Sequence, residues 1–89
     1  MKYHIKCRKW QISEPEESYE FGSKTLEWDI EAQSKREAFQ KLYEDVRIFY
    51  PKSQGYSIQR FYEDEELVQL EVFDRGIVAS LDEITLTEE

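Results

Sequence analysis

The chain has 89 residues with 20 acids against 12 bases, a formal net charge of −8, which reads as one small acidic domain over residues 1–89. That charge argues against wrapping nucleic acid or an anionic membrane directly, because such surfaces are met with Lys and Arg. Cys7 is the single cysteine, which excludes an intrachain disulfide scaffold.

Residues 2–12 read as a strand. Tyr3, Ile5 and Cys7 alternate with Lys2, His4, Lys6 and Arg8, a period of two. The phase then slips, because Trp10 and Ile12 are apolar at even positions. One extra residue near Arg8 or Lys9 repairs it, so a β-bulge is expected there. Residues 13–23 read as an acidic loop broken by Pro15 and Gly22. Residues 24–32 form the clearest strand, with Leu26, Trp28, Ile30 and Ala32 on one face and Thr25, Glu27, Asp29 and Glu31 on the other. Antiparallel pairing of these two strands sets Lys2, Lys6 and Arg8 against Glu27, Asp29 and Glu31. Each such cross-strand contact is worth ~0.2–1 kcal/mol.

A helix follows. Ser34-Lys35-Arg36-Glu37 is a capping box. Ala38, Phe39, Leu42, Tyr43, Val46 and Phe49 or Tyr50 then fall on one stripe at helical spacing. Pro51 ends the helix by disfavouring helical geometry at Tyr50, and Lys52–Gly55 is a turn. Tyr56–Tyr62 is a strand, Glu63–Glu66 a loop of four acids, and 67–73 a strand in which Val68, Leu70 and Val72 share a face. Asp74-Arg75-Gly76 suits a tight hairpin with Gly76 left-handed, and Ile77–Leu81 pairs back. After Ser80 either a helical turn or an edge strand at Ile84–Leu86 fits, with Glu88 and Glu89 fraying.

The order is β-β-α-β-β-β. The expected fold class is α+β, a single helix packed on one face of a mostly antiparallel sheet. Five Phe, six Tyr and two Trp supply the core, each ring burying ~150–250 Å². Trp28, Phe39, Tyr43 and Phe61 are assigned to it. Apolar runs are two to three residues long, far short of a membrane span. With no apolar leader segment, a reducing cytoplasmic setting is expected.

No catalytic constellation assembles. His4 is the only histidine and has no nucleophile partner at a recognisable spacing, so it reads as a surface residue. Cys7 reads as a small buried hydrophobe. His4 and Cys7 stand three apart on a strand and point to opposite faces. The acids lack the EF-hand spacing, and Gly22, Gly55 and Gly76 are isolated, so no phosphate cradle exists. No metal, cofactor or enzymatic activity is expected.

Charge is sorted along the chain. Residues 1–12 carry a net of +4, and residues 61–89 hold ten acids and one base, a net of −9. The first function this suggests is a non-enzymatic protein-binding module: an adaptor, small subunit or regulator whose partner presents a basic surface. Trp10, Tyr19 and Phe21 are the candidate aromatic anchors. Glu14, Glu16, Glu17 and Glu20, with Glu63, Asp64, Glu65 and Glu66, are the candidate acidic contacts. The second is phosphate mimicry, in which those two acidic loops form one track and occupy a nucleic-acid-binding groove. Small phage-encoded anti-defence inhibitors share this size and charge, by composition alone. Exposed strand edges also allow a homodimer by strand addition.

Overall fold

The computed structural model describes the backbone of residues 1–13, 18–20 and 25–89, and the side chains of 1–10 and 25–89. The elements are β1 (Lys2–Ser13), β2 (Ser18–Glu20), β3 (Leu26–Glu31), α1 (Lys35–Phe49), a 3-10 turn (Lys52–Gln54), β4 (Ser57–Glu63), β5 (Glu66–Phe73) and β6 (Ile77–Glu88). The α+β expectation holds: one helix lies on one face of an antiparallel sheet. β1 is flanked by β6 on one side. On the other, β3 pairs with its first half (Lys2–Cys7) and β2 with its end (Gln11–Ser13). The sheet is therefore five strands wide, running from β2 and β3 through β1, β6 and β5 to β4. The stretch expected as an unbroken loop over 13–23 contains β2.

β6 answers the ambiguity after Ser80. It continues as strand to Glu88, and it is a central strand between β1 and β5, not an edge. Its end does not fray: Tyr3 pairs with Glu88, and the Glu89 amide donates to the Lys2 carbonyl at 2.8 Å. Long-range pairing overrides the local polarity of Thr85–Glu89.

The slip in β1 is real, but its repair differs from a one-sided bulge. Cys7 pairs with Ile84 and Lys9 with Asp82, so the ladder keeps its offset across Arg8 and Glu83. Both strands change phase together. Cys7 and Ile84 are buried before the break, and Leu81 is buried with Trp10 opposite it after the break. Glu83 takes a left-handed backbone, φ 52°, which is uncommon for a non-glycine residue. The Cys7 thiol lies under the break, 3.1 Å from the Lys9 carbonyl and 3.2 Å from that of Asp82. A one-sided bulge does occur elsewhere. The β4–β5 register shifts between Phe61 and Tyr62, so Tyr62 meets Leu67 while Phe61 meets Gln69, leaving Val68 as the extra residue. That insertion buries Leu67 with Leu70 and Val72 and displaces Val68 from the face assigned to it.

α1 begins as its sequence demands. The Ser34 hydroxyl accepts from the Glu37 amide at 3.2 Å, while the Glu37 carboxylate meets Lys41 Nζ at 3.5 Å. Ala38, Phe39, Leu42 and Val46 are buried, and Tyr43 and Tyr50 are half-buried. They pack on Tyr3, Ile5, Cys7, Ile30, Leu70, Val72, Leu81 and Ile84 in one core. Phe61 stands outside that core. Its neighbour Arg60 pairs with buried Leu70, and strand alternation turns Phe61 to the face away from the helix.

Two turns depart from expectation. Asp64 and Glu65 both have positive φ, 48° and 70°, the pattern of a type I′ hairpin. In the Asp74–Gly76 turn the left-handed residue is Arg75, φ 62°, and not Gly76. An added Cβ at Gly76 would meet nothing within 4 Å.

Candidate functional site

The two ends of α1 build two different clefts. At its C-terminal end an apolar cleft of about 400 Å³ lies between helix and sheet, lined by Trp10, Leu26, Glu27, Trp28, Val46, Phe49, Tyr50 and Leu81. Trp10 and Leu81 are a cross-strand pair, and Leu26 and Trp28 share the helix-facing side of β3. Arg47 fixes the helical wall. Its Nη1 donates to the carbonyls of Tyr50 (3.3 Å) and Tyr56 (2.8 Å), and its Nε donates to the Tyr43 hydroxyl (3.2 Å). This satisfies the Tyr50 carbonyl that the helix end leaves open and ties it to Tyr56 just before β4, where the Tyr50 and Tyr56 rings meet edge to face, centroids 5.4 Å apart. Burial, then the nearby Tyr56, raises the Tyr50 pKa above its ordinary value of 10.0.

The rim of this cleft is unusual. Phe49 is 80% exposed and its neighbour Ile48 75% exposed. Of the two, Phe49 lines the cleft and extends its apolar surface into water, and contiguous exposed apolar surface marks interaction sites. Exposed Glu44 and Asp45 lie one turn back along the helix, while the Glu27 carboxylate turns to the opposite face of the sheet, toward His4 and Lys6. The rim therefore joins apolar side chains to carboxylates. A sequence signal for it existed. Ile48-Phe49-Tyr50 is an apolar triplet at a helix end, and at ~100° per residue one face cannot bury all three.

At the N-terminal end of α1 a polar cleft of about 680 Å³ is lined by Lys35, Arg36, Phe39, Gln40, Arg60, Tyr62, Asp64, Glu65 and Glu66. Here the acidic hairpin tip meets bases. Lys35 Nζ stands 3.5 Å from Glu66 Oε1. Arg60 donates to Gln40 Oε1 at 3.0 Å and lies 4.4 Å from the Tyr43 ring centroid, a cation–π contact. The tip is thus partly neutralised by the chain itself.

The described contact residues fall in two regions. Trp10 lines the apolar cleft. Tyr19 and Glu20 lie in β2, their backbones opposite Ile12 and Gln11, at the same end of the sheet. Glu14, Glu16, Glu17 and Phe21 lie outside the described residues. Glu63, Asp64, Glu65 and Glu66 sit at the other end. Trp10 and Leu70 share a level through Leu81. From that level Ser13 lies three residues one way and Glu66 four the other, so they are about 20 Å apart along the strands. Among the described residues, Glu20 and the Glu63–Glu66 tip therefore stand at opposite ends of the sheet.

The face away from the helix carries the charge ladder. β1 and β3 pair Lys2 with Glu31 and Lys6 with Glu27 as expected, while His4 meets Asp29 and the ladder ends at Cys7–Leu26, before Arg8. Lys6 Nζ is 3.6 Å from Glu27 Oε1. His4 Nδ1 stands 2.7 Å from Asp29 Oδ1 and its Nε2 3.3 Å from Glu27 Oε1. Hydrogen bonding to Asp29, then to Glu27, raises the His4 pKa above 6.5. Burial pushes the Cys7 thiol up to about 11, so it stays protonated and unreactive near neutral pH.

Compared with known protein families, characterised proteins and solved structures, the chain matches none of them. Among the described residues no helix is long and apolar enough to cross a membrane.

Proposed function

We propose that this chain is a non-enzymatic protein-binding module, an adaptor, small subunit or regulator, that uses the cleft at the C-terminal end of α1. The observation that carries the reading is the exposure of Phe49, preceded on the helix by exposed Ile48, at the apolar cleft of Trp10, Leu26, Trp28 and Tyr50. Aromatic side chains around a pocket are the usual energetic centre of a protein interface. The exposed carboxylates of Glu44 and Asp45, one turn before Ile48 and Phe49 on the helix, favour a partner with a basic rim around an apolar anchor. Such a rim speeds encounter and sets specificity, while the apolar centre carries affinity. A reducing cytoplasmic setting suits the free thiol of Cys7. β4 pairs only with β5 among the described residues, and its outer edge suits a homodimer by strand addition.

The test is affinity capture from the native host with the wild-type chain and with Ile48→Ser/Phe49→Ser, at low and moderate salt. Both side chains are at least three-quarters exposed, so the double variant should melt within a few degrees of wild type while losing its partner. Undiminished capture by a folded double variant refutes the reading. A Glu63→Lys/Glu65→Lys variant separates the phosphate-mimic alternative: loss of binding there, with steep salt dependence, transfers the site to the hairpin tip.

A further inference from the structure

We propose that His4, Asp29 and Glu89 form a binding site for a divalent transition metal ion, with zinc the best match, on the sheet face opposite the apolar cleft. The three donor atoms lie within 4.8 Å of one another. They come from three places the sheet holds together. His4 and Asp29 are a β1–β3 ladder pair, and Glu89 is anchored by its amide bond to the Lys2 carbonyl at 2.8 Å. Thr87 pairs with His4 on the other side and donates its hydroxyl to the His4 carbonyl at 3.3 Å. The backbone under the cluster is therefore fixed by a central ladder, and only side-chain torsions remain.

The spacing suits a tetrahedral ion. Ligand atoms each ~2.1 Å from such an ion stand about 3.4 Å from one another. His4 Nδ1 is now 2.7 Å from Asp29 and 3.9 Å from Glu89. Both gaps reach the required value with shifts below about 1 Å, and the third, between Asp29 and Glu89, lies within 4.8 Å and closes through the torsions of two exposed carboxylates.

A fourth residue distinguishes this cluster from a chance group of acids. Glu27 Oε1 lies 3.3 Å from His4 Nε2 and is itself held by Lys6 Nζ at 3.6 Å. With Glu27 accepting the Nε2 proton, loss of the Nδ1 proton now shared with Asp29 at 2.7 Å leaves the ring lone pair aimed at Asp29 and Glu89. Metal-bound histidines are oriented in this way by a partner on the second ring nitrogen. Two carboxylates balance the charge of a divalent ion, and water completes the shell. One imidazole with two carboxylates suits zinc and its transition-metal neighbours, whereas calcium requires six or more oxygens. Binding releases the Nδ1 proton to solvent as the ion takes its place.

The experiment is a titration of the full chain with zinc chloride at pH 7.5, read by calorimetry and by the nitrogen resonances of the His4 ring. One ion per chain is expected, with a large change at Nδ1 and Nε2 still protonated. His4→Gln, Asp29→Asn and Glu89→Gln should each weaken binding at least tenfold. Glu27→Gln, which removes only the orienting group, should weaken it by roughly 10- to 100-fold. Glu83→Gln, distant on the same sheet, should change nothing, and calcium chloride should leave the His4 ring unmoved. Equal zinc affinity in folded His4→Gln, or an unchanged His4 ring at millimolar zinc, overturns the proposal and leaves a protonated histidine bridging carboxylates. The ring resonances of the wild-type chain decide the matter even if a variant fails to fold.

Discussion

The two faces of the sheet hold together by different physics. Under α1 the side chains of Ile5, Cys7, Leu42, Leu67, Leu70 and Val72 are wholly buried, and their stabilisation comes from removing apolar area from water. On the open face the pairs Lys6–Glu27 and His4–Asp29 are solvated, and exposed pairs of this kind contribute little to stability. The covered face therefore determines whether the chain folds, and the open face is left free to change with pH, salt or a bound ion. The cleft at the end of α1 belongs to the covered face but reaches its edge, where Phe49 continues the apolar surface into water.

Leu42→Ala should break this comparison most severely. Leu42 is wholly buried at the middle of α1, and truncating such a leucine costs ~2–5 kcal/mol through lost transfer energy and the cavity left behind. Urea unfolding of this variant should show a large fall in midpoint. A loss below about 1 kcal/mol would mean that the helix contributes little to the core.

A smaller effect of opposite sign is expected at the turn joining β4 and β5. Asp64 and Glu65 both hold left-handed backbone. Asn-Gly is the pair such a turn prefers, so Asp64→Asn/Glu65→Gly should stabilise by about 1 kcal/mol. Thermal unfolding measures it, and partner capture through the apolar cleft should be unchanged.

The smallest effect is expected on the open face and depends on pH. Asp29 and Glu27 raise the folded pKa of His4 above its ordinary 6.5, so folding favours the protonated ring. Its contribution is complete below the unfolded pKa and disappears as pH rises through the folded value. The difference in urea midpoint between wild type and His4→Gln, measured with a chelator present, should therefore shrink from pH 5 to pH 9. A difference that grows with pH would contradict the hydrogen-bonded geometry.

Much of this architecture was legible in residue order. Alternation in Leu26–Ala32, the capping box at Ser34–Glu37 and the stop at Pro51 each act over a few residues, and each element formed where expected. The charge pattern also suggested the antiparallel β1–β3 pairing, although a register two residues along, with Arg8 on Glu27 and Lys6 on Asp29, matches charges equally well and packing decided between them. The phase slip at Arg8 and Lys9 was visible too. That β6 slips with it at Glu83 depends on which strand becomes the neighbour, and residue order along β1 says nothing of that. The same limit governed Glu88 and Glu89. Their local composition suggests fraying, and a partner strand more than eighty residues away holds them in place.

The site divides along the same line. The sequence by itself determined the supply of aromatics, the excess of acid, the single buried-phase cysteine and the single helix, because these follow from composition and short-range periodicity. The tertiary structure alone decided which acids stand together. It parted the tip at Glu63–Glu66 from the β1–β2 end by placing them at opposite ends of the sheet, and it set Lys35 against Glu66. It also brought Glu89 to His4 and left Ile48 and Phe49 in solvent. Strand order and helix crossing are long-range choices, made by burying the largest apolar surface together, and no local pattern encodes where that burial leaves the remainder.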